Sequence, residues 1–147
     1  MIKGGAFNIR VYGLFINEKK QILLTREFYH NMFMVKFPGG GLKYGEGIID
    51  CLKRECREEL GEEIEVLEHF YTTEFFQQAL FFENTQLISI YYLAKIVQEI
   101  HSENQLNSTD RKVLQLEWHP IRDINENMLT FPIDKVVLKR LKKRLKE

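Results

Sequence analysis

The chain has 147 residues and a formal net charge of +0, and its 44% hydrophobic content is too high for a disordered protein. This length fits one domain, which we place over residues 1–147. Balanced charge argues against a protein built to coat nucleic acid or an anionic membrane. The longest nearly apolar run, residues 87–94, is far shorter than a membrane span of roughly 20 residues, and no signal-peptide layout is present. We therefore expect a cytoplasmic protein with neither nucleic acid nor membrane as a partner.

The first half of the chain predicts two strands and a helix. Residues 7–16 and 21–26 have the apolar composition and partial alternation of strands. Pro38 and the three glycines after it interrupt regular structure, because proline lacks a donor and glycine permits positive φ. Over residues 47–60 the apolar spacing becomes helical, and Gly61 is a natural helix stop. The side chains expected on the core face of this helix are Ile49, Leu52, Cys56 and Leu60.

The second half predicts three more strands and a final helix. The strands cover residues 64–77, 86–97 and 112–119. Pro132 suits the first turn of the helix. Its apolar stripe consists of Val137, Leu138, Leu141 and Leu145. Strands on both sides of a central helix, followed by a terminal helix, predict an α/β/α sandwich.

The two cysteines, Cys51 and Cys56, lie on the same predicted helix. At ~100° per residue they point in different directions and are poorly placed to form a disulfide. Two cysteines alone also make no four-ligand zinc site. We expect both to be reduced, with Cys56 in the core.

Three carboxylates lie side by side on the predicted helix, along the border of its apolar stripe. They belong to Glu55, Glu58 and Glu59. Like charges at these spacings repel, and near a core they also lose hydration. A hard divalent ion such as Mg²⁺ or Mn²⁺ removes both penalties, and Mg²⁺ is usually shared with substrate phosphates. The glycine-rich loop before the helix permits close backbone approach. The pattern therefore indicates a phosphate-handling site.

The stretch from residue 40 to residue 61 resembles the signature of the Nudix hydrolases, G-x5-E-x7-R-E-U-x-E-E-x-G-U, where U is usually a bulky aliphatic residue. All seven fixed positions match, and they are Gly40, Glu46, Arg54, Glu55, Glu58, Glu59 and Gly61. Two of the U positions, where a bulky aliphatic residue is usual, depart from the pattern. Cys56 still suits an apolar environment. Glu62 does not, and we expect Ile64 to pack in its place. The resemblance implies an α/β protein, a Nudix-type α/β/α sandwich with a mixed central β-sheet.

The resemblance also implies a function. Nudix enzymes are divalent-metal-dependent hydrolases of nucleoside diphosphates linked to another moiety, with water attack at phosphorus. The partner would be such a small-molecule nucleoside diphosphate derivative, and the cofactor Mg²⁺ or Mn²⁺. The implied metal ligands are Glu55, Glu58, Glu59 and the carbonyl of Gly40. Arg54 would orient a carboxylate by a salt bridge, with Glu46 as its partner.

The general base is left open by the resemblance. Glu58 within the motif is one candidate, and Glu117 and Glu103 outside it are the others. Glu117 is equally consistent with an exposed carboxylate at a strand end. Glu103 lies in the polar segment 101–111, whose length suits a flap facing the substrate.

Aromatic and basic residues outside the motif have several interpretations. Phe75, Phe76, Phe81 and Phe82 suit base stacking, a dimer surface or the core, with core packing expected for at least half. The aromatic strands and the resemblance favour a homodimer. Arg10 and Arg26 suit phosphate binding or a solvated strand surface. The basic run at residues 139–146 is typical of a solvated lysine face.

Two other functions compete with hydrolysis. The first is a non-catalytic Nudix-fold module that binds a nucleotide or a sugar-phosphate without cleaving it. The complete set of motif carboxylates argues against this alternative. The second is a structural protein whose acidic helix is incidental. The nucleotide substrate itself does not follow from the sequence, since the motif places only the metal and the diphosphate.

Overall fold

The computed structural model describes residues 4–99 and 112–146. These residues form seven strands, two α-helices and a short 3₁₀ helix at Glu126–Met128. The strands are β1 (Ala6–Phe15), β2 (Gln21–Tyr29), β3 (Met32–Lys36), β4 (Gly39–Gly41), β5 (Glu62–Thr72), β6 (Thr85–Glu99) and β7 (Lys112–Pro120). The helices are α1 (Ile48–Leu60) and α2 (Pro132–Leu145).

The strands form two sheets. The larger has the order β4-β1-β6-β5, in which β1 and β6 are parallel and the other neighbours antiparallel. The smaller sheet is antiparallel, with the order β3-β2-β7. The predicted mixed sheet is therefore confirmed.

Alternation along β1 separates the packing surfaces of the two helices. Tyr12 and Leu14 belong to the hydrophobic cluster that contains the buried face of α2. Val11 and Phe15 belong to the cluster that contains α1. Successive side chains of a strand point to opposite faces, so the helices cover opposite faces of the sheet. This is the layering of an α/β/α sandwich. Within the described ranges, no helix is long and apolar enough to cross a membrane.

The core face of α1 differs from the predicted one at its first turn. Leu52, Cys56 and Leu60 are buried, as predicted, but Ile49 is 44% exposed and Cys51 is fully buried instead. The buried face also includes Glu55 and Glu59, each only 4% exposed. Compared with the prediction, α1 is therefore rotated about its axis so that Glu55 and Glu59 face the interior. Residues in the interior pair with these two carboxylates, as described below. The predicted position of Ile49 on this face is wrong for that reason.

Two other expectations need correction. Strand β5 ends at Thr72 rather than at residue 77, although the Thr73 amide still donates to the Ser89 carbonyl at 3.0 Å. The chain then leaves β6 and meets it again at an isolated bridge between Gln78 and Gln86. Phe75 and Phe76 are 40% and 63% exposed. Their aromatic composition is typical of a strand, but they do not pair with a neighbouring strand among the described residues.

The predicted apolar stripe of α2 is wrong at Leu145. This residue is 50% exposed because the last turn of α2 extends beyond the core.

Both cysteines are free and buried. Burial raises the pKa of the Cys51 thiol to about 12 and holds the pKa of Cys56 well above its usual range. The thiolate is the reactive form. We therefore expect neither thiol to react with Ellman's reagent in the native protein at mildly alkaline pH, and both to react after unfolding in urea. The absorbance of the released thiolate measures this, and labelling before unfolding would contradict the prediction.

Candidate functional site

The glycine strand β4 lies directly against α1, and two of its glycines are needed for different reasons. Gly39 has φ 144°, and a Cβ there would lie 2.1 Å from the Val11 carbonyl oxygen. Gly40 has no such backbone constraint, but its Cβ would lie 2.4 Å from the Cδ of Glu55. The first glycine lets β4 approach β1, and the second makes room for a carboxylate.

Arg54 connects three carboxylates and the glycine strand. Its Nε and Nη2 donate to the two carboxylate oxygens of Glu46 at 3.0 and 2.7 Å. Its Nη1 donates to Glu55 at 3.0 Å and to Glu58 at 3.2 Å, and its Nη2 also donates to the Gly41 carbonyl at 3.0 Å. The hydrogen bonds from Arg54 lower the pKa of Glu46 to about 2. The guanidinium thus holds Glu46, Glu55 and Glu58 around one cation and links them to Gly41 of β4.

Lys36 supplies a second cation from the opposite side. Its Nζ lies 2.8 Å from Glu27 Oε2 and 3.6 Å from Glu59 Oε1. The other oxygen of Glu59 accepts from the Gly39 amide at 3.4 Å. Glu55 and Glu58 therefore contact Arg54, whereas Glu59 contacts Lys36. Of the three glutamates of α1, Glu58 is the most accessible, with a side chain 31% exposed against 5% for each of the other two.

A cavity of about 650 Å³ opens beside these charges. Its lining includes Arg10, Gly41 and Glu55. It also includes the aromatic rings of Phe81 and Phe131 and the carboxyl group of Asp134, among other residues. A space of this size suits a small-molecule ligand, and most of its lining is apolar. One binding space is therefore lined by charged side chains, by the glycine strand and by aromatic rings.

Asp134 is a buried carboxyl in the wall of this cavity. Its Oδ1 accepts a hydrogen bond from the Tyr91 hydroxyl, while Oδ2 has no hydrogen-bond partner within the described ranges. Burial raises the pKa of Asp134 to about 6, although the bond from Tyr91 partly opposes this shift. Conversely, burial and the neighbouring Asp134 raise the pKa of the Tyr91 phenol.

The candidates outside the motif lie elsewhere or beyond the described residues. Glu117, on β7, pairs with Arg26 at 3.2 Å and with His119 at 3.1 Å. The hydrogen bonds from Arg26 and His119 hold the pKa of Glu117 below its usual range. Neither Glu117 nor Arg26 is among the described residues that line the cavity, whereas Arg10 is. Glu103 lies outside the residues that the structure describes.

The phenylalanine pairs are not core residues. Phe75, Phe76 and Phe82 are between 40% and 63% exposed. Phe81 and Phe82 line the cavity, and the Phe81 ring meets Tyr29 edge-on at 5.1 Å. The expectation that at least half of the four pack in the core is wrong, because three of them are exposed. Residues 77–82, which carry Phe81 and Phe82, run along the cavity.

Sequence reasoning missed Lys36 and Asp134. Lys36 follows four hydrophobic residues, so the sequence of β3 does not alternate, and its shared parity with the buried Met34 appears only in the structure. A lysine at such an interior position needs a charged partner. Asp134 offers no signal either, since an acidic residue in the first turn of a helix is common on exposed surfaces.

The motif, the layers and the cavity define a class of protein. A sequence model of the NUDIX domain matches residues 6–141, and the chain therefore belongs to the Nudix family. No curated protein matches the sequence significantly.

Several solved structures share the fold. A NUDIX hydrolase from Nitrosomonas europaea is 18% identical, with a TM-score of 0.76 over 93% of this chain and 89% of that one. The MutT protein from Methanosarcina mazei Go1 is 20% identical, with a TM-score of 0.75 and 100% of both chains covered. A UDP-X diphosphatase is 15% identical, with a TM-score of 0.68 over 99% of this chain and 66% of that one.

Nudix hydrolases generally use divalent metals, and the donors here suit one. Carboxylates and a backbone carbonyl are the hard oxygen ligands that Mg²⁺ and Mn²⁺ prefer. The close approach of Glu55 to Gly40, which a Cβ would block, brings both donor types together. Within residues 4–99 and 112–146, no three acidic, cysteine or histidine side chains form a ready-made metal group. Here Arg54 and Lys36 neutralise the carboxylates of Glu55, Glu58 and Glu59.

The contact between Gly40 and Glu55 predicts a coupled pair of substitutions. Gly40→Ala should cost about 1–3 kcal/mol of stability, because its Cβ overlaps the buried Glu55 carboxyl. In a Glu55→Ala background the same substitution should cost much less. Urea unfolding of the four proteins in this double-mutant cycle measures the coupling. Gly41→Ala is the matched control, since its Cβ would meet nothing closer than 3.5 Å. Additive costs for Gly40 and Glu55 would contradict the predicted contact.

The raised pKa of Asp134 predicts a pH-dependent change in stability. Its pKa rises from 3.8 to about 6 on folding, so the native state binds more protons than the unfolded state between these values. Stability is therefore lost as pH rises through this window, by about 3 kcal/mol in total. Asp134→Asn removes this loss and still accepts from Tyr91, so it should gain stability relative to wild type as pH rises.

Urea unfolding from about pH 4 to about pH 7 tests this prediction. Asp123→Asn is the control, since that side chain is 66% exposed. A stability difference between Asp134→Asn and wild type that stays constant across the window would show that the predicted shift is absent.

Proposed function

We propose that this protein is a metal-dependent hydrolase that cleaves the phosphoanhydride of a nucleoside diphosphate linked to another moiety. The observation that carries the proposal is the contact of Glu55 and Glu59 with the glycine strand β4, with Arg54 linking Glu58 to Glu55. Glu55 also lines a cavity of about 650 Å³. Membership of the Nudix family supports the same chemistry.

The proposed metal ligands are the carboxylates of Glu55, Glu58 and Glu59 and the carbonyl oxygen of Gly40. A bound Mg²⁺ or Mn²⁺ would neutralise diphosphate charge and lower the pKa of a bound water. Arg54 holds Glu55 and Glu58 next to each other through its contacts at 3.0 and 3.2 Å. Its bidentate pair with Glu46 fixes the guanidinium in turn.

Glu58 is the proposed general base. Its carboxylate is the most exposed among the three glutamates of α1, so solvent reaches it while Arg54 orients it. It takes a proton from the attacking water as the water oxygen bonds to phosphorus. The bridging P–O bond breaks, and its electron pair leaves with the departing phosphate oxygen. Glu117 is less suited to this role, because Arg26 and His119 both engage its carboxylate.

The cavity is the proposed site for the nucleoside diphosphate derivative. Arg10 and Glu55 both line the cavity, so a diphosphate bound there would meet a cation as well as a motif carboxylate. The aromatic rings in the lining suit a flat apolar group, which would stack on rings such as Phe81. A homodimer and a cytoplasmic location stay predictions.

Substitution of Glu58 tests the assignment. Glu58→Gln should lower turnover by roughly a hundredfold or more, because the amide cannot accept the proton, and it should leave the thermal melt little changed. Glu63→Gln is the matched control: Glu63 follows α1 and pairs with Arg57 on the surface. Phosphate release from a panel of nucleotides, with Mg²⁺ or Mn²⁺, measures both variants. Coupling separately to pyrophosphatase and to alkaline phosphatase distinguishes pyrophosphate release from phosphomonoester products.

Two results would contradict the proposal. Full activity of Glu58→Gln would remove Glu58 from the catalytic machinery. Nucleotide-induced thermal stabilisation of the wild type, without product from any compound, would favour the non-catalytic binding module instead.

A further inference from the structure

Lys36 is a buried cation shared between two carboxylates of different kinds. Its side chain is 2% exposed, and its ammonium lies 2.8 Å from Glu27 and 3.6 Å from Glu59. Glu27 is fully buried and also accepts from the Thr25 hydroxyl at 3.0 Å. Glu59, in contrast, belongs to the motif and is a proposed metal ligand. One positive charge therefore connects the interior of the smaller sheet with the proposed metal site.

The ammonium of Lys36 is held in place from several sides. It donates to the carbonyl oxygens of Phe37 at 3.2 Å and of Gly39 at 3.1 Å. The face of the Tyr12 ring lies 5.4 Å from Nζ. A buried lysine with these partners has little freedom to move away from Glu59. It therefore acts on the carboxylate as a fixed charge, unlike the lysines on the protein surface.

A fixed cation beside a ligand carboxylate opposes the binding of a second cation. The ammonium already neutralises part of the Glu59 charge, and charges a few ångströms apart interact strongly where water is excluded. Glu27 counters this effect, because it attracts the same ammonium at a shorter distance. The balance between Glu27 and Lys36 thus determines how much negative charge the glutamates of α1 offer to a divalent ion.

We infer that Lys36 is an internal counter-cation of the metal site, which lowers its affinity for divalent ions, and that Glu27 moderates this effect. Lys36 is a positioning residue here, since it acts through Glu59 and contacts no reacting atom. The inference rests on the proposed function, because it takes Glu59 as a metal ligand. It needs no particular nucleotide substrate.

Binding of Mn²⁺ to the substrate-free protein tests the inference without any measurement of turnover. The double variant Glu27→Gln/Lys36→Met removes both charges and nearly keeps the side-chain volumes, so no buried charge of this pair is left unpaired. It should bind Mn²⁺ roughly tenfold more tightly than wild type, since Glu59 has lost its counter-cation. Glu27→Gln alone should bind Mn²⁺ several-fold more weakly, because the ammonium of Lys36 then has no charged Glu27 beside it and neutralises Glu59 more strongly. Electron paramagnetic resonance of free Mn²⁺ gives both dissociation constants.

The control is Lys95→Met, which removes the lysine of an exposed pair with Glu65 at the same 3.6 Å separation and should leave Mn²⁺ affinity unchanged. Circular dichroism and thermal melts of the metal-free proteins verify folding, and Mn²⁺ should raise the melting temperature most in the double variant. If the double variant fails to fold, the opposite shift expected for Glu27→Gln still decides the matter.

Unchanged or weaker Mn²⁺ binding by the folded double variant would overturn the inference, as would unchanged or tighter binding by Glu27→Gln. In either case the proposed function would stand, provided that the wild type binds Mn²⁺. A wild type that binds no Mn²⁺ at millimolar concentration would overturn both the inference and the proposed function.

Discussion

Two carboxylates of α1 face the interior, and much of the site follows from the need to compensate their charge. An ionised carboxylate removed from water costs several kcal/mol unless it is paired and hydrogen-bonded. Glu55 receives this compensation from Arg54 on its own helix, and Glu59 receives it from Lys36 on β3. Glycine at position 40 leaves the space that the first carboxylate occupies. The glycine strand, the buried lysine and the motif arginine therefore satisfy one electrostatic constraint.

The same constraint links the glutamates with the cavity. Tyr12 of β1 lies under the ammonium of Lys36 and stacks on Tyr91 at 5.2 Å between ring centroids. Tyr91 in turn donates to Asp134 in the cavity wall. The stacked rings of Tyr12 and Tyr91 thus connect the ammonium of Lys36 with the buried carboxyl of α2. Lys36 and Asp134 are both buried, and charges interact more strongly there than they would at the surface.

Sequence reasoning succeeded where local periodicity carries the information. The helix over residues 48–60 follows from the spacing of its apolar residues. It ends at Gly61, whose φ of 68° is favourable because glycine has no side chain. The hairpin between β2 and β3 was missed, since its turn uses His30 and Asn31 at positive φ without a glycine. Positive φ at such residues is uncommon, and only pairing of the flanking strands makes it favourable.

The sequence by itself determined which carboxylates lie side by side, because a regular helix places residues three and four apart on adjacent positions of one surface. It also determined the family, through the spacing of seven motif residues. Only the tertiary structure decided how far α1 is rotated about its axis, and hence that Ile49 is exposed and Glu59 is buried. That rotation depends on Lys36 of β3 and Gly40 of β4, which both lie against the helix. Periodicity within a helix contains no information about the charge or the space that its neighbours provide.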